Sequence, residues 1–373
     1  MTVSLLPDAK INCLEFRVKS MKMDLDQILV AASDDSLQER YELSIIDIEP
    51  RMLVRKFRAN KISAERLERV SAELKTEDKK IILEQINSDR TFRDEWFRLL
   101  EYVSQALKEN DVNYVLIKFL VYSHAMMTDF DLLTLNPQEE LKAINLLSEK
   151  GFAFFQFRLL AHPLKILARK QENESKADID LDFYPAPMWI RKKVADNSLI
   201  FSRRKSISIK GTEIYVPSPE DDLYLVGTHA FAHLSFTLAE ILHGVKTITD
   251  HPRFDWDYLY NLARNYGCLD SIYLYLRILN TYCSKYYDDS VVDASIFFLY
   301  ERFRVCKKIK SWLEQTCSDC IRFPIRVPLR IGSFNSSFYH CKTLYGHVSF
   351  SALVNDFLTH YLSLSSRVVL GKS

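Results

Sequence analysis

The sequence predicts an α+β fold, a mixed sheet with flanking helices followed by a helical bundle. Three observations carry this expectation. Between residues 91 and 217, apolar runs of strand length, Asn113–Lys118 (NYVLIK), Asp129–Leu135 (DFDLLTL) and Phe152–Phe157 (FAFFQF), are interspersed with stretches of helical periodicity. The segment Ala177–Phe183 (ADIDLDF) alternates polar and apolar residues, as a strand with one polar face does. From Ser218 onward the apolar spacing is mostly helical, which suits a bundle packed on the sheet.

Taken in order, residues 1–90 read as a charged, mainly helical module, in which Ser63–Leu74 (SAERLERVSAEL) keeps apolar residues at helical spacing. Residues 91–109 predict a helix with Thr91 as its cap, because Phe92, Trp96, Leu99, Leu100, Val103 and Leu107 form one stripe. Pro137–Lys150 predicts another, with Leu141, Ile144 and Leu147 on one face and Gly151 ending it. Ser206–Ile209 and Glu213–Val216 flank Lys210-Gly211-Thr212, a hairpin turn. Ser218-Pro219-Glu220-Asp221 starts a helix, with proline at its first position and acids in its first turn, expected to run to about His243-Gly244. Further helices are expected at 255–266, 270–287, 291–315 and 347–364. The resulting division is 1–90, a sheet domain at 91–217 and a helical domain at 218–373, in keeping with about 100–200 residues per domain.

Composition narrows the function. With 50 Lys+Arg against 49 Asp+Glu and 47% hydrophobic residues, the chain is neither disordered nor built to coat nucleic acid. It has only 8 glycines and no G-x-G-x-x-G or G-x-x-x-x-G-K, which excludes the familiar dinucleotide and P-loop phosphate cradles. The most apolar stretch, Val112–Met127, contains Lys118 and His124 and is shorter than a membrane span, so no membrane association is expected. The start, MTVSLLPDAK, lacks the basic start and long apolar core expected of a signal peptide, and seven scattered cysteines fit thiols in a reducing cytoplasm, the expected location.

Chemistry concentrates in the aspartates. Asp129 and Asp131 are separated by one residue on a strand, so they point to the same face, near enough to share a divalent cation. Flanking Phe130, Leu132 and Leu133 bury the strand, and buried paired carboxylates are costly unless a cation compensates them. Oxygen-only ligands suit Mg²⁺ or Mn²⁺, which also grip phosphates. A second acidic strand, Asp178-Ile179-Asp180-Leu181-Asp182, follows, and one of its aspartates beside the first pair would complete a three-carboxylate, two-metal site.

The order of these segments resembles the nucleotidyltransferase superfamily, in particular an uncharacterised group whose strand reads LLKG ahead of a DIDLL motif. The corresponding segments are Val115-Leu116-Ile117-Lys118-Phe119 and Asp129-Phe130-Asp131-Leu132-Leu133. Gly151-Phe152, Asp180-Leu181-Asp182, His229-Ala230-Phe231-Ala232-His233 and Asp255-Trp256-Asp257 follow in the group's order, so the resemblance covers about residues 91–270. It implies a nucleotidyltransferase-type sheet. It gives Asp129 and Asp131 to Mg²⁺ or Mn²⁺, and makes Asp180 the third carboxylate, as metal ligand or general base within a few ångströms of the pair. By strand alternation Asp178 and Asp182 share the face of Asp180. Lys118 is expected to approach the triphosphate, with Thr128 and His229 completing the nucleotide-binding set. The implied reaction moves a nucleoside monophosphate from an NTP to an acceptor and releases pyrophosphate. The acceptor is left open between a protein hydroxyl, an RNA end, a sugar phosphate and an antibiotic. The sequence departs from the pattern at Phe119, where the group has glycine, and at Met127 and Thr128, where it has arginine before the paired aspartates. An inactive binding or regulatory protein that keeps the fold is the alternative these departures leave.

Other features have plainer readings. His229 and His233 lie at i and i+4 on an apolar helix without an HExxH motif, which suits a structural or phosphate-contacting role more than zinc. Cys317-Ser318-Asp319-Cys320 with His340-Cys341 outlines a weak zinc pattern. The segment Trp189–Gly211 carries seven Lys/Arg against Asp196 alone, and Glu301–Gly346 carries nine against three acids. The first follows the second acidic strand, which makes Arg203, Arg204 and Lys205 a candidate patch for a phosphate-rich acceptor, RNA being the first class to test.

Overall fold

The computed structural model describes residues 25–34, 37, 49–71, 74, 76–120, 125–156, 166–170, 179–189, 192–233, 235–301, 310–314 and 324–326. The helix expected at 347–364 and the Cys317–Cys320 pattern lie outside the described residues. Near the N-terminus come α1 (Leu25–Ser33) and α2 (Pro50–Ala59). A 3₁₀ turn over Ala64–Leu67 follows, capped by the Ser63 side chain accepting from the Glu65 amide. One long helix, α3 (Thr76–Glu109), then passes through residue 90 without a break. Its early residues Ile82 and Ile86 join the larger core, and Trp96, Leu100, Val103 and Leu107 join the core beneath the sheet.

The sheet has five strands: β1 (Tyr114–Ile117), β2 (Asp129–Thr134), β3 (Phe152–Gln156), β4 (Ile166–Lys170) and β5 (Asp180–Tyr184), in the order β1-β2-β5-β4-β3. The central pair β2–β5 is parallel and the other pairings are antiparallel, so the sheet is mixed. Helix α4 (Pro137–Glu149) connects β2 to β3 and is capped by Asn136, whose side chain accepts from the Glu139 amide. The alternation of each strand divides the sheet into two faces. Phe130, Leu132, Leu181 and Phe183 pack with α3 and with Ala143 and Leu147 of α4. Val115, Ile117, Leu133 and Tyr184 face the opposite way and join the core formed with the C-terminal helices.

After β5 come the short pair β6 (Met188–Trp189) and β7 (Lys192–Lys193), helix α5 (Asn197–Arg203) and the hairpin β8 (Lys205–Ile209) and β9 (Thr212–Val216). The hairpin turns through Lys210 and Gly211, both with positive φ, as a tight two-residue turn requires. The C-terminal layer contains α6 (Pro219–Ala232), β10 (Ser235–Phe236), α7 (Leu238–Thr249), α8 (Trp256–Asn265), α9 (Leu269–Tyr286) and α10 (Ala294–Tyr300), and β10 pairs with β11 (Ile325–Arg326).

The single helix expected from Ser218 to His243 is two. It stops at His233, and Thr237 restarts it through a capping box in which Thr237 and Glu240 each satisfy the other's amide. The T-x-x-E spacing that announces this box stands in the sequence at Thr237–Glu240. Of the helix expected over 291–315, α10 ends at Tyr300, residues 310–314 are helical again, and 302–309 lie outside the described residues. Strand β4 had no strong sequence signal. The two halves of the broken helix converge on one side chain. A Cβ on Gly227 would lie 2.5 Å from the Tyr275 ring, and one on Gly244 2.4 Å from its hydroxyl oxygen, so both glycines let α6 and α7 close against α9. Among the described residues, no helix is long and apolar enough to cross a membrane, and Cys268 and Cys283 are buried without a disulfide.

Candidate metal centre

The parallel register of β2 and β5 sets Asp129 opposite Asp180 and Asp131 opposite Asp182. All four aspartates therefore share one face, the face turned toward the C-terminal helices. Carboxylate oxygens of Asp129, Asp131 and Asp182 lie within 4.8 Å of one another. Asp131 is 8% exposed and Asp182 1%. The structure thus brings Asp129 and Asp131 together as their spacing implies, and the third member of the cluster is Asp182. Asp180, assigned that place by resemblance, sits opposite Asp129 at the partly exposed start of β5. Alternation could not separate Asp180 from Asp182, since both occupy the same face and only the inter-strand register distinguishes them.

Lys118 closes the base of the cluster. Its Nζ is 2.6 Å from Asp131 Oδ1, and both side chains are 9% exposed. The ammonium also donates to the Tyr184 hydroxyl (3.3 Å) and lies 3.5 Å from His229 Nε2. It sits 4.8 Å from the centre of the Tyr184 ring and 5.1 Å from that of Trp189. Trp189 in turn donates to Thr228 Oγ1 (3.0 Å), which ties α6 to the site. Burial holds the Tyr184 phenol well above its usual pKa, and the charges of Asp131, Asp182 and Asp129 push it further. Tyr184 is therefore a neutral hydroxyl beside the carboxylates. His229 and His233 meet through their Nε2 atoms at 3.1 Å, so His229 bridges Lys118 and the end of α6.

Phe119, the departure from glycine, is a core residue. It is 7% exposed and stacks on Trp96, which stacks in turn on Phe130 with ring centres 4.3 Å apart. The backbone conformation that favours glycine falls one residue earlier, at Lys118, with φ 55°. Thr128 is exposed immediately before β2, and Met127 packs against both cores.

The basic patch has other partners. Arg203 pairs with Glu220 (2.7 Å) and Asp221 (3.3 Å) and lies over the Tyr258 ring. Arg204 donates to Asn113 Oδ1 and lies over Tyr215. Asn113 immediately precedes β1, whose Tyr114 pairs with Thr134, whereas Asp131 pairs with Ile117 at the strand's other end. At about 3.3 Å per strand residue, this places Arg204 roughly 10 Å or more from the carboxylates along the strand. Lys205, at the start of β8, is exposed.

Sequence reasoning missed one cation. Lys61, from the turn after α2, pairs with Glu240 at 2.7 Å. Burial lowers its pKa, but Glu240, with Asp129 and Asp131 behind it, more than reverses that and keeps it a firm ammonium. No sequence signal links Lys61 to the aspartates, because only the tertiary fold sets its turn against the segment leading into β2.

This donor set fits a hard divalent cation. It is all oxygen, and three carboxylates facing one buried ammonium leave two negative charges in excess. Residues 60–284, more than half of the chain, match the family model described as uncharacterised nucleotidyltransferase. The crystal structure of an antigenic nucleotidyltransferase-like protein from Paracoccidioides brasiliensis aligns at 12% identity over 55% of this chain and 97% of that chain, with a TM-score of 0.34. Among curated proteins none matches the chain. From the extent of the family match, the chain belongs to the uncharacterised nucleotidyltransferase family.

Proposed function

We propose that the protein is an active, metal-dependent nucleotidyltransferase that moves a nucleoside monophosphate from an NTP to an acceptor hydroxyl. The acceptor oxygen loses its proton and bonds to the α-phosphorus. The bond from that phosphorus to the α,β-bridging oxygen breaks, and its electron pair leaves with pyrophosphate. The observation that carries this reading is the convergence of Asp129, Asp131 and Asp182 oxygens within 4.8 Å on two adjacent central strands. Mg²⁺ or Mn²⁺ held by these carboxylates would supply Lewis acidity and offset the phosphate charge.

The chain's own groups do the rest. Lys118 and Tyr184 hold Asp131 and its neighbours in place from below. Asp180, opposite Asp129 at the partly exposed start of β5, would accept the acceptor's proton on a carboxylate oxygen. Thr128, exposed beside Asp129, and His229, against Lys118, border the nucleotide. Arg203 and Arg204 are engaged elsewhere in the fold, so the acceptor is sought beside Asp129 and Asp180.

Calorimetric titration with ATP, GTP, CTP and UTP, with and without Mg²⁺, tests this reading. At least one nucleotide is expected to bind in a Mg²⁺-dependent manner to the native protein and to lose that dependence in Asp131→Asn. A protein that binds none of the four, or binds one equally well without metal, contradicts the reading.

A further inference from the structure

Helix α2 ends in a Schellman motif. Around the cap residue Asn60, the Ile62 amide donates to Phe57 O and the Lys61 amide to Arg58 O, each at 3.0 Å. The residue after such a cap takes a left-handed conformation, here φ 56° at Lys61. Glycine is the usual occupant because a Cβ is strained there. A lysine held in a glycine's conformation directs attention to its side chain.

Several contacts fix that turn beside the segment that leads to the carboxylates. Ile62 pairs with Ala125, and the Met126 amide donates to Lys61 O at 2.8 Å, so the turn lies along the segment leading into β2. Asn60 accepts from the Leu238 and Ala239 amides, each at 3.2 Å, which fixes the same turn to the first turn of α7. The Lys61 ammonium pairs with Glu240 at 2.7 Å, and the charges of Asp129 and Asp131 also favour its protonated form. Its side chain remains 42% exposed, whereas that of Lys118 is 9% exposed and committed to Asp131. Glu240 has a second task, since its Oε2 accepts from the Thr237 amide at 2.8 Å, so it stays in place when the lysine moves.

We propose that Lys61 is a phosphate-binding residue of this site, its ammonium leaving Glu240 for the triphosphate when nucleotide is bound. The inference rests on the nucleotidyltransferase reading above and adds to it a group from outside the sheet. With the aspartates neutralised by a bound cation, the triphosphate is the strongest negative partner within the ammonium's reach. Glu240 pairs with the ammonium when no nucleotide is bound and competes with phosphate for it.

Lys61→Gly separates function from structure, because it relieves the backbone strain while removing the ammonium. Relief of that strain is expected to offset part of the stability lost with the Glu240 pair, so the variant is expected to stay folded, as its melting transition checks. Its affinity for the preferred Mg²⁺-nucleotide, and for inorganic tripolyphosphate with Mg²⁺, is expected to fall about ten- to a hundredfold, the loss of one or more charge-assisted hydrogen bonds. Lys61→Gln, which keeps most of the side-chain length without the charge, should show the same loss, and Lys61→Arg should retain most of the affinity. Glu240→Gln, which keeps an oxygen for the Thr237 amide, should bind both probes several-fold more tightly. Native affinity for both probes in Lys61→Gly and Lys61→Gln overturns this proposal alone. A native protein that binds no nucleotide overturns the nucleotidyltransferase reading, and this proposal with it.

Discussion

Asp182→Asn is expected to abolish divalent-cation binding while raising the melting temperature of the metal-free protein. Asp182 is 1% exposed, and its carboxylate lies within 4.8 Å of those of Asp129 and Asp131. Like charges held this closely raise one another's energy, and asparagine removes one of them without changing the side chain's shape. The metal-free variant therefore gains what the native protein spends on repulsion. With metal the order reverses. A ligand at a hundred times its dissociation constant stabilises the native fold by about 2.7 kcal/mol, and the variant forgoes this. Loss of a direct ligand is expected to weaken metal binding by more than the roughly 10–100-fold that loss of a supporting group causes. Asp180→Asn is the paired control, expected to keep most of the metal-induced stabilisation and to slow transfer instead. Melting temperatures measured against Mn²⁺ concentration in the three proteins decide the assignment. Equal losses in the two variants would mean that Asp180 and Asp182 both reach the ion.

Lys118→Met is expected to cost about 3–5 kcal/mol of stability without metal, as removing one partner of a buried ion pair does. The lysine is 9% exposed and its ammonium stands 2.6 Å from Asp131 Oδ1. Methionine keeps much of the aliphatic volume against Tyr184 and Trp189 but supplies no charge. Mg²⁺ or Mn²⁺ restores positive charge to the cluster, so a large part of the lost stability is expected to return as metal is added. Urea denaturation of native and variant proteins, with and without 10 mM-range Mg²⁺ (on the order of ten times or more a typical weak-site dissociation constant), checks this. A loss that metal does not reduce would show that the lysine's contribution lies in packing against the aromatic rings, not in charge.

Four of the sheet's five strands, all but β4, were legible because they carry clear apolar patterns. DFDLLT and DLDFY alternate around apolar positions that are buried, and Asn136-Pro137 and Ser218-Pro219 mark the helix starts at which their side chains cap. Two things were not legible. Strand register is a property of the pair, so no reading of β5 by itself could choose Asp182 over Asp180. Tertiary neighbours are also invisible to composition. The excess of positive charge over Trp189–Gly211 looked like an anion-binding surface, yet Glu220 and Asp221 meet Arg203 from the next helix. Conversely Lys61, an unremarked lysine in a charged stretch, stands beside the segment leading into β2 because a Schellman turn, a bridge from Ile62 to Ala125 and the cap of α7 converge on its turn. Phe119 illustrates a third limit. A motif comparison marks it as a lost glycine, while its stacking on Trp96 shows the side chain built into the core.

The central claim is that Asp129, Asp131 and Asp182 hold the divalent cation to which the nucleotide binds. Anomalous diffraction from crystals grown with Mn²⁺ and a non-hydrolysable analogue of the preferred nucleotide tests it most directly. The predicted result is manganese density coordinated by these three carboxylates, with the triphosphate reaching from the metal toward Lys61. Manganese density away from the three aspartates, with the nucleotide bound elsewhere, would contradict it.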